Sequence, residues 1–492
     1  MTVALVAGFM TLLDVSIVNV ALPSIRSDLH LSSGELQWVL SGYALTFGLL
    51  LVPAGRYGDA RGRRNVFILG LAVFTLASAA AGLATGPLWL VIARLVQGAA
   101  AGVVNPQVSG LIQQLFKPAE RGRPFGLLGA TIGISTAVGP LLGGLLIQIF
   151  GTSEGWRWIF YINVPIGLVA IVLGYRWIPA RPREKRERES LDPVGVVLLG
   201  IGVLLLLLPL VQEREWHGPA KWLLVPAALL VLAGFLLWER RYARHDTSVV
   251  DLALFKVRSY ALGSLLGLLY FGGFTAIFFT YTLTLQSGLH YTALEAGLAI
   301  TPFALGSAVA SALGGRAVNR YGRPLVVAGL ILVIVGLAGA LLALDLWPGR
   351  HAGWATAVPL LVAGLGSGLV IAPNQTITLS EVPVRRAGSA AAVLQTGQRI
   401  GTAVGIAAVG SVFFNRLAGN GGDWQAAFRT SLWVIIAFVG IALIAGIADV
   451  LSSRHGDHDD NRRPDRHEDH GPDRHQDRRP GRREDQGAVR SS

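Results

Sequence analysis

Cysteine is absent from all 492 residues of the chain, which excludes disulfide bonds and thiolate metal sites. Charge is also scarce, since 15% of the residues are charged, against roughly 25% in a typical soluble domain. Hydrophobic residues make up 52% and form long runs. A run of about 18 apolar residues can cross a bilayer as a helix, so the composition excludes an ordinary soluble domain.

Two catalytic signatures are missing as well. The sequence contains neither a nucleotide-binding loop of the form G-x-x-x-x-G-K-[ST] nor a zinc-binding H-E-x-x-H. A membrane-embedded enzyme is therefore the weaker interpretation, and we expect no cofactor and no metal.

Hydropathy predicts fourteen membrane-spanning helices, because lipid offers no hydrogen-bond partner to open backbone groups. No charged segment or small-residue cleavage site precedes the first span, so a cleaved signal peptide is not expected. The predicted spans are 3–21, 38–55, 66–85, 88–107, 124–148, 158–178, 193–211, 221–239, 260–286, 294–315, 325–345, 355–379, 388–413 and 427–449.

The net charge of +12 is distributed unevenly between the predicted loops. With the amino terminus inside, the cytoplasmic loops carry 22 Lys and Arg residues and the outer loops with their borders carry 7. Because basic residues are enriched in cytoplasmic loops, both termini are predicted to be cytoplasmic in a bacterial cytoplasmic membrane. The positive charge is thus a topology signal, and nucleic acid is not an expected partner.

An internal repeat predicts the architecture. Residues 55–63 read GRYGDARGR and residues 315–323 read GRAVNRYGR, while P-x-x-R occurs at 118–121 and again at 383–386. Both pairs are displaced by eight helices. The simplest account is two six-helix halves with two extra helices between them, a plan that places a substrate site at the interface between the halves.

The predicted fold is therefore an all-α integral membrane protein with an amino-terminal half at 1–178, a linker with two helices at 179–258 and a carboxyl-terminal half at 259–450. The tail at 451–492 has almost no apolar residues and is predicted to be a disordered cytoplasmic segment. It holds five of the ten His residues, but no regular ligand spacing supports a metal site.

Five motifs follow one another along the first half: LDVSIVNVALP at 13–23, the loop at 55–64, RLVQG at 94–98, GPLLGG at 139–144 and WRWIFYINVPIG at 156–167. In this order and on these helices they resemble the major facilitator superfamily, and within it the fourteen-helix drug:proton antiporter group (EmrB/QacA-like). The resemblance implies export of small lipophilic compounds in exchange for protons by alternating access.

Asp14 is the only acid deep within the first half. A charge at the bilayer centre costs roughly 2.5–3.5 kcal/mol even on lenient scales, so it should face a cavity or a partner. Asp14 is the candidate proton carrier, and Arg94 is its natural partner. An Asp–Arg contact that forms in one conformation and breaks in the other would couple proton binding to the rocking of the two halves. The alternatives are a permanently paired carboxylate and an arginine that only binds backbone carbonyls.

The loop containing Gly55, Asp59, Gly62 and Arg63 is the candidate conformational latch, because Asp59 can accept hydrogen bonds from a helix amino terminus or an arginine. Asn319 replaces the acid in the second copy, so that latch should be weaker. The alternative is a basic loop that only sets topology.

Small residues in span 5 allow close helix packing, and a proline there can bend the helix. Resemblance to the antiporter motif implies a role in antiport, with packing alone as the other interpretation. The motif residues are Gly139, Pro140, Gly143 and Gly144.

Several polar and aromatic residues are candidates for the lining of the cavity. Arg399 is expected to bind an anionic substrate group, to pair with an acid brought close by folding, or to hydrogen-bond carbonyl groups across the bundle. The second half lacks a central acid that would favour dications. The full set of candidates is Asn19, Tyr43, Gln97, Tyr270, Gln395 and Arg399.

The leading hypothesis is a proton-driven exporter of lipophilic drugs or antibiotics, and the alternative is an exporter of one specific metabolite. A sensor or an importer fits less well. The expected partners are a small-molecule substrate, protons and the lipid bilayer, and we expect a monomer.

Overall fold

A computed structural model describes residues 1–179, 192–211, 216, 218–242, 250–419 and 421–460. Residues 180–191 of the predicted linker, and the part of the predicted tail beyond residue 460, lie outside the described residues. Within them, fourteen helices are long and apolar enough to cross a membrane, as hydropathy predicted.

The helices are α1 Thr2–Leu29, α2 Ser33–Arg61, α3 Arg63–Gly82, α4 Pro87–Leu115, α5 Gly122–Tyr161, α6 Asn163–Trp177, α7 Pro193–Val211, α8 Leu224–Tyr242, α9 Arg258–Leu283, α10 Ala293–Tyr321, α11 Arg323–Leu346, α12 Ala357–Thr378, α13 Ala387–Gly419 and α14 Trp424–Asp460.

Several helices extend beyond the predicted spans. The first span was predicted at 3–21, whereas α1 continues to Leu29 and ends on His30, whose φ is 52°. The segment Gly122–Tyr161 consists of two helices that meet at a kink at Gly151, where φ is 83° and ψ is 167°, so the fifth span ends at Gly151 and the sixth begins at Ser153. Hydropathy marks the apolar part of a helix and misses polar turns at its ends, while glycine adopts a positive φ without strain.

The same capping device begins α2 and α10. The Ser32 hydroxyl accepts from the backbone of Glu35, and the Glu35 carboxylate accepts from the backbone of Ser32. Thr292 and Glu295 repeat the arrangement at the start of α10. Each capping box satisfies backbone donors that would otherwise be open, so Glu295 serves a helix terminus and does not lie in the membrane interior.

The packing pairs α1 with α5, α2 with α4 and α3 with both α4 and α6 in the first half. In the second half α9 packs on α13, and α12 packs on α10 and α11. Between the halves, α5 contacts α10 and α2 contacts α13. Of the two extra helices, α7 packs on α2 and α13, and α8 packs on α7. Residues Met1–Val450 form one compact unit.

Glycines set the close approach of α5 and α10. A Cβ on Gly126 would lie 2.8 Å from the Cα of Gly315 and 2.7 Å from the carbonyl oxygen of Ser311. A larger residue would push the backbones apart, so small side chains fix this contact between the halves.

Candidate functional site

A buried ion pair joins α1 to α4. The Nη1 of Arg94 lies 2.6 Å from the Oδ2 of Asp14, and the two side chains are 1% and 0% exposed. The Arg94 Nε donates to the carbonyl oxygen of Val39 at 3.0 Å, which ties the pair to α2. The contact between Asp14 and Arg94, which the sequence left open, is therefore direct.

The other Asp14 oxygen also receives donors. Its Oδ1 accepts from the Gln97 Nε2 at 2.7 Å and from the Asn163 Nδ2 at 3.1 Å. The Ser78 hydroxyl oxygen accepts from both amides, at 2.6 and 3.3 Å. Asp14 thus receives donors on both oxygens, an arrangement that suits the ionised carboxylate.

Asn163 and Ser78 were not among the predicted site residues. Asn163 falls within the motif at 156–167, and its polarity on an otherwise apolar helix was a usable signal. The Oδ1 of Asn163 is buried and has no hydrogen-bond partner among the described residues. Ser78 gave no comparable signal, because a small hydroxyl is common in membrane helices.

Two aromatic rings enclose the Arg94 guanidinium. Its Cζ lies 4.2 Å from the centre of the Tyr43 ring and 5.8 Å from that of Phe160, distances at which ring faces attract a cation. The Tyr43 hydroxyl donates to the carbonyl oxygen of Thr11 at 3.2 Å. Arg94 therefore keeps favourable contacts that do not depend on Asp14.

Three of the predicted cavity residues do not line an open cavity in this conformation. Tyr43, Gln97 and Tyr270 are 3%, 0% and 1% exposed. Each has its polar group satisfied by a neighbouring helix; the partner of Tyr270 is Ser367. Packing and hydrogen bonding between helices account for their positions, whereas Asn19 is exposed on the surface of α1.

The two candidates on α13 face the first half. Gln395 donates to the Ser109 hydroxyl of α4 at 3.3 Å, and Gln375 of α12 donates to the same hydroxyl at 3.2 Å. One turn further along α13, the Arg399 Cζ lies 4.2 Å from the centre of the Phe47 ring of α2. Both side chains are partly exposed and belong to the interface between the halves.

The last turns of α2, where the sequence predicted a loop from residue 55, contact the amino terminus of α13. The Asp59 Oδ1 accepts from the backbone N–H of Gly388 at 3.1 Å, and its Oδ2 accepts from the backbone N–H and the hydroxyl of Ser389, each at 2.8 Å. Arg63 lies 2.7 Å from Asp59 and donates to the carbonyl oxygen of Val384. A carboxylate at a helix amino terminus interacts favourably with the helix dipole, so this contact holds the two halves together.

The glycines at the end of α2 allow the close approach. A Cβ on Gly55 would lie 2.6 Å from the carbonyl oxygen of Gly388 and 2.8 Å from the Ala392 Cβ. Gly62 separates α2 from α3 with a φ of 105°, a conformation that favours glycine. We call the side of the molecule that holds this contact the basic side.

The second copy of the motif, at the end of α10, is built differently. The Asn319 amide donates to the carbonyl oxygen of Ala119, which is one hydrogen bond in place of the ionic cap. Arg323 pairs instead with Asp449 of α14 at 2.7 Å, and Arg258 lies 3.6 Å from the same carboxylate. Asp449, 4% exposed, thus provides the carboxylate that contacts Arg323.

The antiporter motif of α5 packs directly on α1. A Cβ on Gly139 would lie 1.9 Å from the Ser16 Oγ, and one on Gly143 would lie 3.1 Å from Ile17. The Ser16 hydroxyl donates to the carbonyl oxygen of Ser135 at 2.9 Å. Ser16 is two residues from Asp14 and points to a different face of α1, so the motif and the ion pair are linked through the α1 backbone.

The other motif residues differ in their surroundings. Pro140 faces the second half, because a Cβ on Gly297 of α10 would lie 3.2 Å from the Pro140 Cβ. A Cβ on Gly144 would meet nothing within 4 Å. The position of Gly139 therefore has no room for a side chain, whereas the position of Gly144 does.

Gly139→Ala is expected to separate α1 from α5, since overpacking costs roughly 1–3 kcal/mol. We expect a lower melting temperature in detergent and a several-fold slower transport, whereas Gly144→Ala should match the wild type in both. Adding Ser16→Gly to Gly139→Ala removes the clashing atoms and should restore part of the loss. Equal behaviour of the two alanine variants would contradict the packing role.

A pocket of 590 Å³ opens where α1 ends and α2 begins, away from the basic side, with none of its lining from the ion pair or from α13. Leu22, Pro23 and Arg26 line it. Together with Asn19, which comes first in the chain, these residues follow the spacing i, i+3, i+4 and i+7. All four therefore share one face of α1. That face differs from the one carrying Asp14 and leads from the pocket towards the membrane interior.

The family model for the Major Facilitator Superfamily matches residues 4–406 and 263–468. The chain belongs to the Major Facilitator Superfamily. The fold of this transporter agrees with the family, since 90% of the chain superposes on 93% of the solved proton:xylose symporter XylE with a TM-score of 0.63 and 17% identity.

Among curated proteins, this transporter is 35% identical over 420 residues to the probable actinorhodin transporter of Streptomyces coelicolor, covering 84% of this chain and 72% of that protein. It is 33% identical over 324 residues to the multidrug export protein EmrB of Haemophilus influenzae, covering 64% of this chain and 61% of that protein. These relatives confirm the predicted EmrB/QacA-like grouping and the predicted link to drug and antibiotic export.

Proposed function

We propose that the chain is a proton-coupled antiporter that exports small lipophilic compounds across a bacterial cytoplasmic membrane by alternating access. The observation that carries the proposal is the fully buried pair formed by Arg94 and Asp14 of α1, the helix on which the antiporter motif packs. Ionisable residues inside a membrane bundle are generally functional and mark ion or proton pathways. The two halves, 1–178 and 259–450, rock as a monomer about the linker at 179–258, with both termini in the cytoplasm.

In the proton step of the cycle, the Asp14 carboxylate binds a proton. Protonation replaces a carboxylate by a neutral acid, which removes the ionic attraction to Arg94. The acid also needs a hydrogen-bond acceptor, and rotation of the Asn163 amide would place its unpartnered Oδ1 near Asp14. Asn163 can therefore serve both protonation states, donating to the carboxylate and accepting from the acid.

Two contact routes lead from Asp14 to the interface between the halves. Through α1, Ser16 contacts α5 at Gly139, and the next residue, Pro140, contacts Gly297 of α10. Through Arg94, the Tyr43 ring stacks on Phe47 with centres 6.1 Å apart, and Phe47 contacts Arg399 of α13. A change in the Asp14–Arg94 pair thus acts on both contacts between the halves.

The described conformation fits an outward-facing step of the cycle. The contacts of Asp59 and Arg63 close the basic side, which we assign to the cytoplasm, and the pocket at α1 and α2 opens on the other side. Asp14 is in its ion-paired form here, as expected before a proton arrives from outside. Proton loading would then favour the inward-facing state, where a substrate displaces the proton.

The direct test uses purified protein in proteoliposomes with an imposed proton gradient and a panel of lipophilic compounds. We expect at least one compound to accumulate with the gradient and to release protons when it is added. Collapse of the gradient with an uncoupler should abolish both effects. Accumulation that ignores the gradient would contradict antiport, while a response to only one compound of the panel would favour the exporter of a single natural product.

A further inference from the structure

Arg399 is the charged group of α13 in the membrane interior that the proton step does not use. Within the part of the chain that the structure describes, it makes no ion pair and no hydrogen bond; its guanidinium lies over the face of Phe47 and interacts electrostatically with Tyr43. A guanidinium carries five donors in a planar fork. An arginine kept at this depth without a carboxylate is costly, so its position calls for a partner that arrives from outside the protein.

The face of α13 that carries Arg399 is directed at the first half. Gln395, Arg399 and Thr402 are spaced i, i+4 and i+7 and so share one face. Gln395 contacts Ser109, and the Thr402 hydroxyl lies 3.2 Å from that of Thr275 on α9. Gly397 belongs to the opposite face, where a Cβ would meet nothing within 4 Å. Arg399 therefore points into the protein and not towards lipid.

Aromatic rings stand on the neighbouring helix. Phe271, Phe274 and Phe278 of α9 are partly exposed and contact one another, with ring centres 5.4 and 5.2 Å apart. They lie on the face of α9 between the contact with α13 at Thr275 and the contact with α12 at Tyr270. A flat aromatic ligand between the halves would thus meet ring surfaces as well as the guanidinium.

The charges that surround this region are positive or already paired. Asp14 is fully buried and bound to Arg94, and Glu295 caps α10 at its outer end. At the outer pocket the lining side chains with a charge or a titratable group are Arg26 and His30. An organic cation would gain no unpaired carboxylate from these groups, whereas an anion would gain the Arg399 guanidinium.

We infer that Arg399 is the anion-binding group of the substrate site, and that the transporter takes planar aromatic compounds that carry an acidic group such as a carboxylate, phenolate or enolate. A bidentate arginine–oxyanion contact is among the stronger charge-assisted hydrogen bonds. The inference rests on the proposed export function and specifies its substrate class. Arg399 contacts Phe47, which stacks on Tyr43 beside Arg94, so a bound anion lies on the route from the proton site to the interface.

The test measures equilibrium binding to the purified full-length protein of three aromatic carboxylates, benzoate, 2-naphthoate and 2-anthroate, each against its neutral carboxamide. The proteins are the wild type, Arg399→Gln, Arg399→Lys and, as the control for loss of charge on the same helix, Arg416→Gln. We expect the wild type to bind at least one carboxylate roughly 10- to 100-fold more tightly than its carboxamide, the size of a charge-assisted hydrogen bond. Arg399→Gln should lose that preference while Arg416→Gln keeps it.

The conservative variant adds a readout that a structural role would not give. Arg399→Lys keeps the charge but not the planar fork, so it should retain part of the carboxylate preference and leave the carboxamide affinities unchanged. A wild type without preference for any of the three carboxylates would overturn the inference, as would an Arg399→Gln variant with undiminished preference. If proton-driven accumulation of a neutral compound survives in Arg399→Gln while no anion preference exists, the export function stands and the assignment to Arg399 fails.

Discussion

Replacing Asp14 by asparagine is expected to reduce proton-driven accumulation of substrate in proteoliposomes to the level of liposomes without protein. Asparagine is close to the carboxylate in size and can still accept a hydrogen bond, but it cannot carry a proton through the cycle. The variant should still bind substrate, because the candidate binding groups on α9 and α13 are separate from the ion pair. Binding without coupled transport would identify Asp14 as the carrier.

The stability of the same variant separates coupling from misfolding. Removing one partner of a buried ion pair costs roughly 3–5 kcal/mol because the other charge stays buried. In Asp14→Asn the loss should be smaller, since Arg94 keeps the Val39 carbonyl, the Gln97 amide oxygen and the Tyr43 ring. The double variant Asp14→Asn/Arg94→Gln removes the unpaired charge and should regain most of the thermal stability without regaining proton coupling. Recovery of coupling in the double variant would contradict the carrier role.

Replacing Asp59 by asparagine is expected to open the basic side. Asp59 uses both oxygens to accept from Gly388 and Ser389 and also binds Arg63, whereas an asparagine side chain has one acceptor and an amide that would face donors. Hydrogen bonds to charged groups contribute roughly 1.5–3 kcal/mol each, so the closed state should lose more than tenfold in population.

The absence of cysteine makes this shift measurable by spin labelling. Labels introduced by Arg61→Cys and Arg320→Cys, both at exposed positions on the basic side of the two halves, report their separation by pulsed electron resonance. Asp59→Asn should add a longer distance to the distribution. Glu120→Gln is the matched control, since Glu120 is an exposed acid on the same side that caps a short turn within its own half. Unchanged distances in Asp59→Asn would show that this contact does not hold the closed state.

The features that the sequence predicted, the membrane spans and the Asp14–Arg94 pair, depend on local hydropathy or on the high cost of an unpaired charge in the membrane. Apolar runs predict spans because each residue pays its own cost of transfer into lipid. The pairing of Asp14 with Arg94 was foreseeable because a lone charge in the membrane interior needs a partner. The helix ends were predicted less well, as at α1, because polar turns continue a helix without a hydropathy signal.

The missed contacts are those whose partner has no distinctive side chain. The donors facing Asp59 include the backbone N–H groups of Gly388 and Ser389, and backbone groups are nearly the same in every residue. Asp449 as the partner of Arg323 depends on how α14 folds back on α11, which no local pattern contains. Tyr43 and Tyr270 were predicted to line a cavity but are packed in the interior. The sequence could not distinguish the two, because an aromatic ring suits a cavity wall and a packed interior equally well.

The central claim, that Asp14 carries the proton and releases Arg94 when it is loaded, can be tested directly by infrared difference spectroscopy on the purified protein. The account predicts a carboxylic-acid carbonyl band that grows as the pH falls, disappears when substrate binds, and is missing in Asp14→Asn. A band that is unchanged in Asp14→Asn, or one that does not respond to a bound substrate, would contradict it.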